Sequence, residues 1–263
     1  PSFKSFSASE VEPGIDYIID KLETDFTNLE KDIEKTDDID LLYKLAIDDL
    51  TLIEYPLSYG WGLVSHLHSV KNNDDLRNVY EKMQPKIIKS TTKISQSKIL
   101  YNALTTLKNS KKINKIKQRI VDASCHGMFL SGIGLEDKEK EEFNNKKIRL
   151  AELSTKFSNN VLDAIKGYEL YIEDDENMKN LPSSALELYS SQAKEKYPES
   201  TPKDGPWKIT LDIPSYLPIM LHHPSSELRQ KLYRVYISRA SSGKNNNLLL
   251  IEEILKLKKE NAE

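Results

Sequence analysis

The sequence predicts a mainly α fold, built as a bundle of long helices with a small β-hairpin-like insertion. Apolar residues recur at steps of three and four over long stretches, which is the period of an amphipathic helix. Only 9 of the 263 residues are glycine, which is few for an all-β protein. Two short segments alternate as strands do. Charged residues make up 30% of the chain and the mean hydropathy is -0.57, as expected for long helices with solvated faces.

The first helix is predicted from a single apolar stripe. Its members are Ile15, Ile18, Ile19, Leu22, Phe26, Leu29 and Ile33. Ser9 and Glu12 have the spacing of a capping box, and Pro13 suits the first turn. A second helix is predicted to begin at residues 37–38 and to kink or break at Pro56, because proline removes a helical hydrogen bond.

The middle of the chain continues in helices. Asn73 is expected to begin one of them, and apolar stripes run on as far as Val121. The two glycines of residues 131–134 favour a turn that ends this run. Asp137 then opens a long helix, for which Gly167 is the expected C-cap.

The pattern changes after Gly167. Residues 168–172 and 207–213 alternate and are predicted to be two strands that pair across an inserted short helix. Pro214 and Pro218 are expected to bracket a bend, after which Ser225 or Ser226 caps a helix.

The last predicted helix covers Leu248 to Glu260 and is amphipathic. Its apolar residues are Ile251, Ile254, Leu255 and Leu257. This face needs a neighbour, either from the same chain or from another chain. We predict three regions: a helical bundle over 1–166, two strands with an inserted helix and loop over 167–224, and helices over 225–263.

Composition excludes several classes of function. The 38 Lys and Arg are outnumbered by 41 Asp and Glu, which argues against a nucleic-acid-binding surface. The single cysteine rules out an intrachain disulfide and suits a reducing compartment: cytosol, mitochondrial matrix or plastid stroma. No apolar run approaches the ~20 residues of a membrane span, so a soluble protein is expected.

The sequence contains no recognisable catalytic motif. A zincin motif needs two histidines one helical turn apart with a glutamate beside the first, and His-Glu-x-x-His is absent. The pairs His66/His68 and His222/His223 are spaced too closely for that motif, and they are interpreted as hydrogen-bonded or surface histidines. Cys125 is interpreted as a buried small hydrophobe. We therefore predict no catalytic, metal-binding or cofactor-binding residue.

Five ordered stretches resemble the N-terminal half of the thimet oligopeptidase and oligopeptidase A family of zinc metallopeptidases, including its organellar members. They are Ser65–Asn72 (SHLHSVKN), Leu130–Leu135 (LSGIGL), Phe157–Ala164 (FSNNVLDA), Leu211–Pro218 (LDIPSYLP) and Tyr233–Ser241 (YRVYISRAS). The likeness covers essentially all of the chain. Five ordered matches are more specific than any single motif.

The resemblance implies the N-terminal lobe of a clam-shaped zincin with a narrow channel for short peptides. In that family the zinc motif and the catalytic residues lie in the second half, so zinc is expected only in a C-terminal half absent from this sequence. This chain alone is therefore expected to be inactive. The region 225–263 would lead towards that catalytic lobe, which is the expected partner of the last helix.

Five polar residues are the candidates for facing the channel or contacting the other lobe. They are Asn159, Asn160, Asp163, Tyr216 and Arg239. Two interpretations remain open. The chain is a piece or processed product of a full peptidase, which its start at Pro1 without methionine favours, or it is a truncated, non-catalytic paralogue that serves as a binding or structural subunit.

Overall fold

The computed structural model describes residues 6–263 and is mainly helical, as predicted. The chain divides into two compact units, which are described separately: unit 1 extends to Glu152, and unit 2 comprises Leu153 to Glu263. No helix within residues 6–263 is both long and apolar enough to cross a membrane.

In unit 1, all regular structure from residue 6 onward is helical. Its helices are α1 (Val11–Glu34), α2 (Ile39–Tyr43), α3 (Leu50–Val70), α4 (Asp74–Ser95), α5 (Lys98–Asn109), α6 (Lys115–Leu130) and the first half of α7 (Asp137–Lys166). α1 packs against α3, α4 and α5 and buries most of its predicted stripe. The core of unit 1 therefore follows the periodicity of the sequence.

The start of α1 differs from the predicted capping box. A short 3-10 turn, Ala8–Glu10, precedes the helix, and the hydroxyl of Ser7 accepts a hydrogen bond from the Ser9 backbone N–H. No side chain caps α1 itself at Glu10. The predicted start at Asn73 is correct, because its side chain accepts a hydrogen bond from the Leu76 N–H at 2.9 Å.

Of the two outcomes predicted at Pro56, a kink or a break, the break does not occur. α2 continues through a π-helical stretch, Lys44–Asp49, into α3, and Pro56 lies inside α3. Leu45 before Pro56 and Leu57 after it are buried in the core of unit 1, so their packing outweighs the hydrogen bond that proline cannot donate.

The predicted turn after α6 is present. Gly132 adopts a positive φ of 83°, which an L side chain rarely tolerates. A Cβ there would lie 3.0 Å from Leu135 and 3.3 Å from Phe143. Both the conformation and the space therefore require glycine before α7 begins.

Unit 2 is built from shorter elements. They are the second half of α7, β1 (Leu170–Ile172), α8 (Ser183–Ala193), β2 (Trp207–Ile209), α9 (Ile213–His222), α10 (Ser226–Ile237) and α11 (Leu248–Ala262). β1 and β2 pair antiparallel across α8, in the register Leu170 to Ile209, which confirms the small predicted sheet. Ser225 caps α10 through a hydrogen bond from the Leu228 N–H.

The predicted bend at Pro214 and Pro218 is wrong, because both prolines lie inside α9. Pro214 occupies the first turn, where a backbone N–H has no intrahelical partner in any case. Tyr216 and Ile219 are buried in the core of unit 2, and this packing holds the helix across Pro218.

The last helix, α11, contains no buried residue. Its large apolar side chains Leu248, Leu249 and Leu255 are 52%, 74% and 62% exposed. Such exposure of leucines along one helix is unusual for an isolated protein surface.

Candidate functional site

Tyr216 and Arg239, two of the predicted polar residues, meet in unit 2 at the ring of Tyr236. The rings of Tyr216 in α9 and Tyr236 in α10 stack with centroids 4.3 Å apart and planes 16° from parallel. The guanidinium carbon of Arg239, just beyond α10, lies 4.0 Å from the Tyr236 ring centroid. This three-layer stack combines aromatic packing with a cation–π contact.

Burial is the main reason that the pKa of Tyr216 is raised above its usual range. The neighbouring Tyr236 and Tyr233 raise it further, and Arg239 opposes them. Arg239 donates from one terminal nitrogen to the carbonyl of Tyr236, while its buried Nε has no hydrogen-bond partner within residues 6–263. The arrangement presents hydrogen-bond donors and aromatic surface, and it contains no nucleophile with an adjacent base.

A second group of polar residues is organised by Asn247, just before α11. The side chain of Asn160 in α7 donates to the Asn247 carbonyl oxygen Oδ1 at 2.8 Å. Asn247 in turn donates from Nδ2 to the Phe157 carbonyl at 3.1 Å and from its backbone N–H to the Ala240 carbonyl at 2.8 Å. Asn247 is 3% exposed and therefore joins α7 to the loop after α10 from within the core.

Asn159 and Asp163 lie on the same part of α7. Asn159 is buried and Asp163 is half-buried, and both have polar partners. The five predicted residues thus fall into two sets: Tyr216 and Arg239 stack around Tyr236, and the other three lie on α7. Arg239 directly precedes Ala240, whose carbonyl accepts the hydrogen bond from the Asn247 N–H.

Sequence reasoning missed the residues at the centre of both groups, Asn247 and Tyr236. Tyr236 lies within a stretch that carried the resemblance, so its place in that motif was an available signal. Asn247 stands at the end of a polar run of asparagines, and nothing in its sequence context separates it from Asn245 and Asn246.

The start of α9, which carries Tyr216, is fixed by two buried hydrogen bonds. The fully buried Tyr189 of α8 donates its hydroxyl to the Ser215 carbonyl at 2.6 Å. The Ser215 hydroxyl accepts from the Thr210 N–H at 2.8 Å, just after β2. Burial raises the pKa of Tyr189 far above its usual range, so this hydroxyl remains a donor at all ordinary pH values.

His223 closes the other end of α9. Its Nδ1 accepts from the Ser225 N–H at 3.2 Å, which places the proton of the neutral ring on Nε2. Nε2 lies 3.1 Å from Oδ2 of Asp175 and donates to it. With 1% exposure, His223 is the hydrogen-bonded histidine that the sequence interpretation described, whereas its neighbour His222 is exposed.

The residues present do not fit a zinc site. Within residues 6–263, no group of three or more His, Cys, Asp or Glu side chains could hold a metal ion. His68 stacks on Tyr80 at 4.2 Å, and burial together with Arg77 lowers the pKa of its imidazole. Cys125 is buried, and this burial raises the pKa of its thiol, which is the reverse of what a reactive thiolate requires.

Comparison with known proteins gives a consistent picture. Residues 15–140 match the family described as the N-terminal domain of neurolysin and thimet oligopeptidase. Over 100% of its length the chain is 42% identical to "Probable cytosolic oligopeptidase A" of Arabidopsis thaliana. It is likewise 41% identical to "Organellar oligopeptidase A, chloroplastic/mitochondrial" of the same plant. It is 35% identical to "Oligopeptidase A" of Haemophilus influenzae.

These alignments cover only part of each relative. They include 37% and 33% of the two Arabidopsis proteins and 38% of the Haemophilus protein. The chain therefore spans about a third of the length of the curated relatives it matches.

Proposed function

Because the chain belongs to the thimet oligopeptidase and oligopeptidase A family, we propose that it forms the N-terminal channel wall or lid of a zinc-dependent oligopeptidase that degrades short peptides. The observation that carries this proposal is similarity over the whole chain to proteins named oligopeptidase A. In this proposal the zinc and its ligands are supplied from outside these 263 residues, and the chain by itself is inactive.

The exposed face of α11 supports a catalytic lobe as the partner of this chain. Apolar surface is exposed to water at Leu248, Leu249 and Leu255, and a neighbouring lobe would cover this surface. The part of each relative that is not aligned is longer than this chain, because the alignments cover only 33% to 38% of the relatives, and it is enough protein to form such a lobe.

The stack of Tyr216, Tyr236 and Arg239 is the part of unit 2 that we propose orients peptide or contacts that lobe. Arg239 offers a permanent positive charge and planar donors to a peptide carbonyl or carboxylate. The names of the Arabidopsis relatives place one in the cytosol and one in chloroplasts and mitochondria, so we propose one of these reducing compartments.

A second candidate is a truncated, non-catalytic paralogue that serves as a binding or structural subunit. It agrees with the same two observations, since the described residues contain no potential metal cluster and the apolar face of α11 is uncovered. The two candidates make different predictions about the native protein.

The test is to isolate the native protein and measure its intact mass, its zinc content and its hydrolysis of a series of short peptides. We expect a mass well above 30.2 kDa, about one zinc per chain, and cleavage that a chelator abolishes. A native mass near 30.2 kDa without zinc would instead support the non-catalytic subunit. Hydrolysis by the 263-residue chain alone would contradict the proposed inactivity.

A further inference from the structure

A cavity in unit 1 is lined by α1, α3 and α4. Its volume is about 450 Å³, within the range of small-molecule sites. Its walls include the apolar side chains Leu22, Leu57 and Ile87, the aromatic side chains Tyr55 and Trp61, and the carboxylate of Glu54. Trp61 stacks on Tyr80 with 4.5 Å between ring centroids, so this wall of the cavity is already formed without a ligand.

Glu54 is the unusual member of this lining. It is half-buried, and within residues 6–263 its carboxylate forms no hydrogen bond or ion pair. Burial raises the pKa of this carboxyl group above its usual range. By contrast, two acids on α1 are paired with lysines of α4: Asp16 with Lys86 at 2.7 Å, and Glu23 with Lys93 at 3.0 Å.

The lining also contains two threonine hydroxyls, whose protons are already donated to backbone carbonyls and whose oxygens can still accept hydrogen bonds. The Thr51 hydroxyl donates to the Ile47 carbonyl at 2.6 Å, and the Thr91 hydroxyl donates to the Ile87 carbonyl at 2.9 Å. Each hydroxyl oxygen retains lone pairs that can accept a hydrogen bond. Together with Glu54, these oxygens give the cavity a lining suited to a ligand that donates several hydrogen bonds and carries positive charge.

We propose that this cavity binds a small organic cation, an ammonium group attached to a compact aromatic or aliphatic body. The ammonium would pair with Glu54 and donate to the oxygens of Thr51 and Thr91, while the apolar body lies against Leu22, Leu57 and the aromatic walls. An ammonium has three donors and no acceptor, which matches the acceptors available here. Aromatic walls add attraction for a cation in a partly desolvated site.

Other ligand classes fit the same lining poorly. An anion would meet an uncompensated carboxylate, and a divalent metal would find no cluster of three candidate ligands within the described residues. A purely apolar ligand would cover the half-buried Glu54 carboxylate without giving it a partner, which costs free energy. The ligand class therefore follows from Glu54, and it does not depend on the peptidase role proposed above.

The test is calorimetric titration of the protein with phenethylamine at pH 7 in phosphate buffer, which avoids competing amine buffers. 2-Phenylethanol serves as the neutral probe of the same shape. We expect the amine to bind with a dissociation constant on the order of 1 mM, as befits a ligand of this size, and the alcohol to bind at least tenfold more weakly. Equal binding of both probes, or no binding of the amine, would overturn the proposal.

Two variants locate the binding. Glu54→Gln removes the charge and should weaken amine binding about tenfold, with little effect on the alcohol. Ser58→Phe adds bulk to the lining of the cavity and should block both probes without altering the charge. Glu34→Gln, an exposed change at the end of α1, is the matched control and should leave binding unchanged. Amine binding that survives Glu54→Gln would place the ligand elsewhere and refute the assignment.

Discussion

Unit 1 and unit 2 are stabilised in different ways. In unit 1 long helices bury continuous apolar stripes, and the side-chain links between α1 and α4 are ion pairs at the surface, such as Lys82 with Glu12 and Lys86 with Asp16. In unit 2 short elements are joined by buried polar groups, including Tyr189 and Asn247. Periodic hydrophobic burial therefore dominates the first unit, and satisfied buried hydrogen bonds fix the second.

The largest effect is expected from Phe26→Ala in unit 1. Phe26 is 1% exposed at the centre of the α1 stripe, and its truncation leaves a cavity in addition to the lost transfer free energy. We expect a loss of about 3–5 kcal/mol in the free energy of unfolding. Urea unfolding followed by circular dichroism would measure it, with hydrogen exchange reporting on each unit separately.

Tyr17→Ala is the control for that change, because Tyr17 is on the same helix and 69% exposed. It should alter stability by less than about 0.5 kcal/mol. If both variants lose similar stability, burial of the apolar stripe of α1 is not what stabilises unit 1. If protection from exchange falls equally in both units, the two units unfold together.

In unit 2 the largest polar effect is expected from Asn247→Ala. The change removes two side-chain hydrogen bonds and leaves the Phe157 carbonyl and the Asn160 amide without these partners. We expect a loss of about 2 kcal/mol, since two half-buried polar groups lose a partner and part of their desolvation cost is no longer offset. Loss of exchange protection in the last turns of α7 would locate the effect.

Asn245→Ala is the control for Asn247, since it is two residues away and lies in the 3-10 turn before α11. It should be close to neutral. If Asn247→Ala were as mild as this control, buried polar links would not be what fixes unit 2.

The contrast between the units also explains how much the sequence could predict. The stripe of α1, the start of α4 at Asn73 and the turn at Gly132 follow from local rules of periodicity, capping and positive φ. The helix is not broken at Pro56, and the bend expected between Pro214 and Pro218 is helical, because burial of Leu57 and Ile219 by residues distant in sequence outweighs a local preference.

The candidate site was predictable only in part, for the same reason. Tyr216 and Arg239 were named individually, but their meeting at Tyr236 depends on how α9 packs against α10. Asn247 reaches α7 across 90 residues of sequence, and no local pattern encodes that contact. The roles proposed for the five named residues remain predictions.

A smaller effect is expected from Tyr189→Phe, which removes one hydroxyl and keeps the ring. The Ser215 carbonyl would lose a 2.6 Å hydrogen bond in a fully buried position. We expect a loss of about 1–2 kcal/mol in urea unfolding. Tyr197→Phe is the matched control, because its hydroxyl donates to Glu173 at the surface, and it should cost less than about 0.5 kcal/mol.

The smallest effect, and the only stabilising one, is expected from Glu54→Gln. Burial raises the pKa of Glu54 in the folded protein above its unfolded value of about 4.3. The native state therefore holds this proton at pH values where the unfolded state has lost it, and stability falls as pH rises through the interval between the two pKa values. The destabilisation by ionised Glu54 is absent below the pKa of the unfolded state and complete above the pKa of the folded state.

Glutamine does not titrate, so the variant should lack this contribution and gain stability at neutral pH by up to about 1 kcal/mol. Urea unfolding of both proteins between pH 4 and pH 7 would measure it. The difference between them should grow with pH and level off once Glu54 is fully ionised. A variant that is less stable at pH 7 would mean that the Glu54 carboxylate has a favourable partner in unit 1, which would also remove the basis for a cation site there.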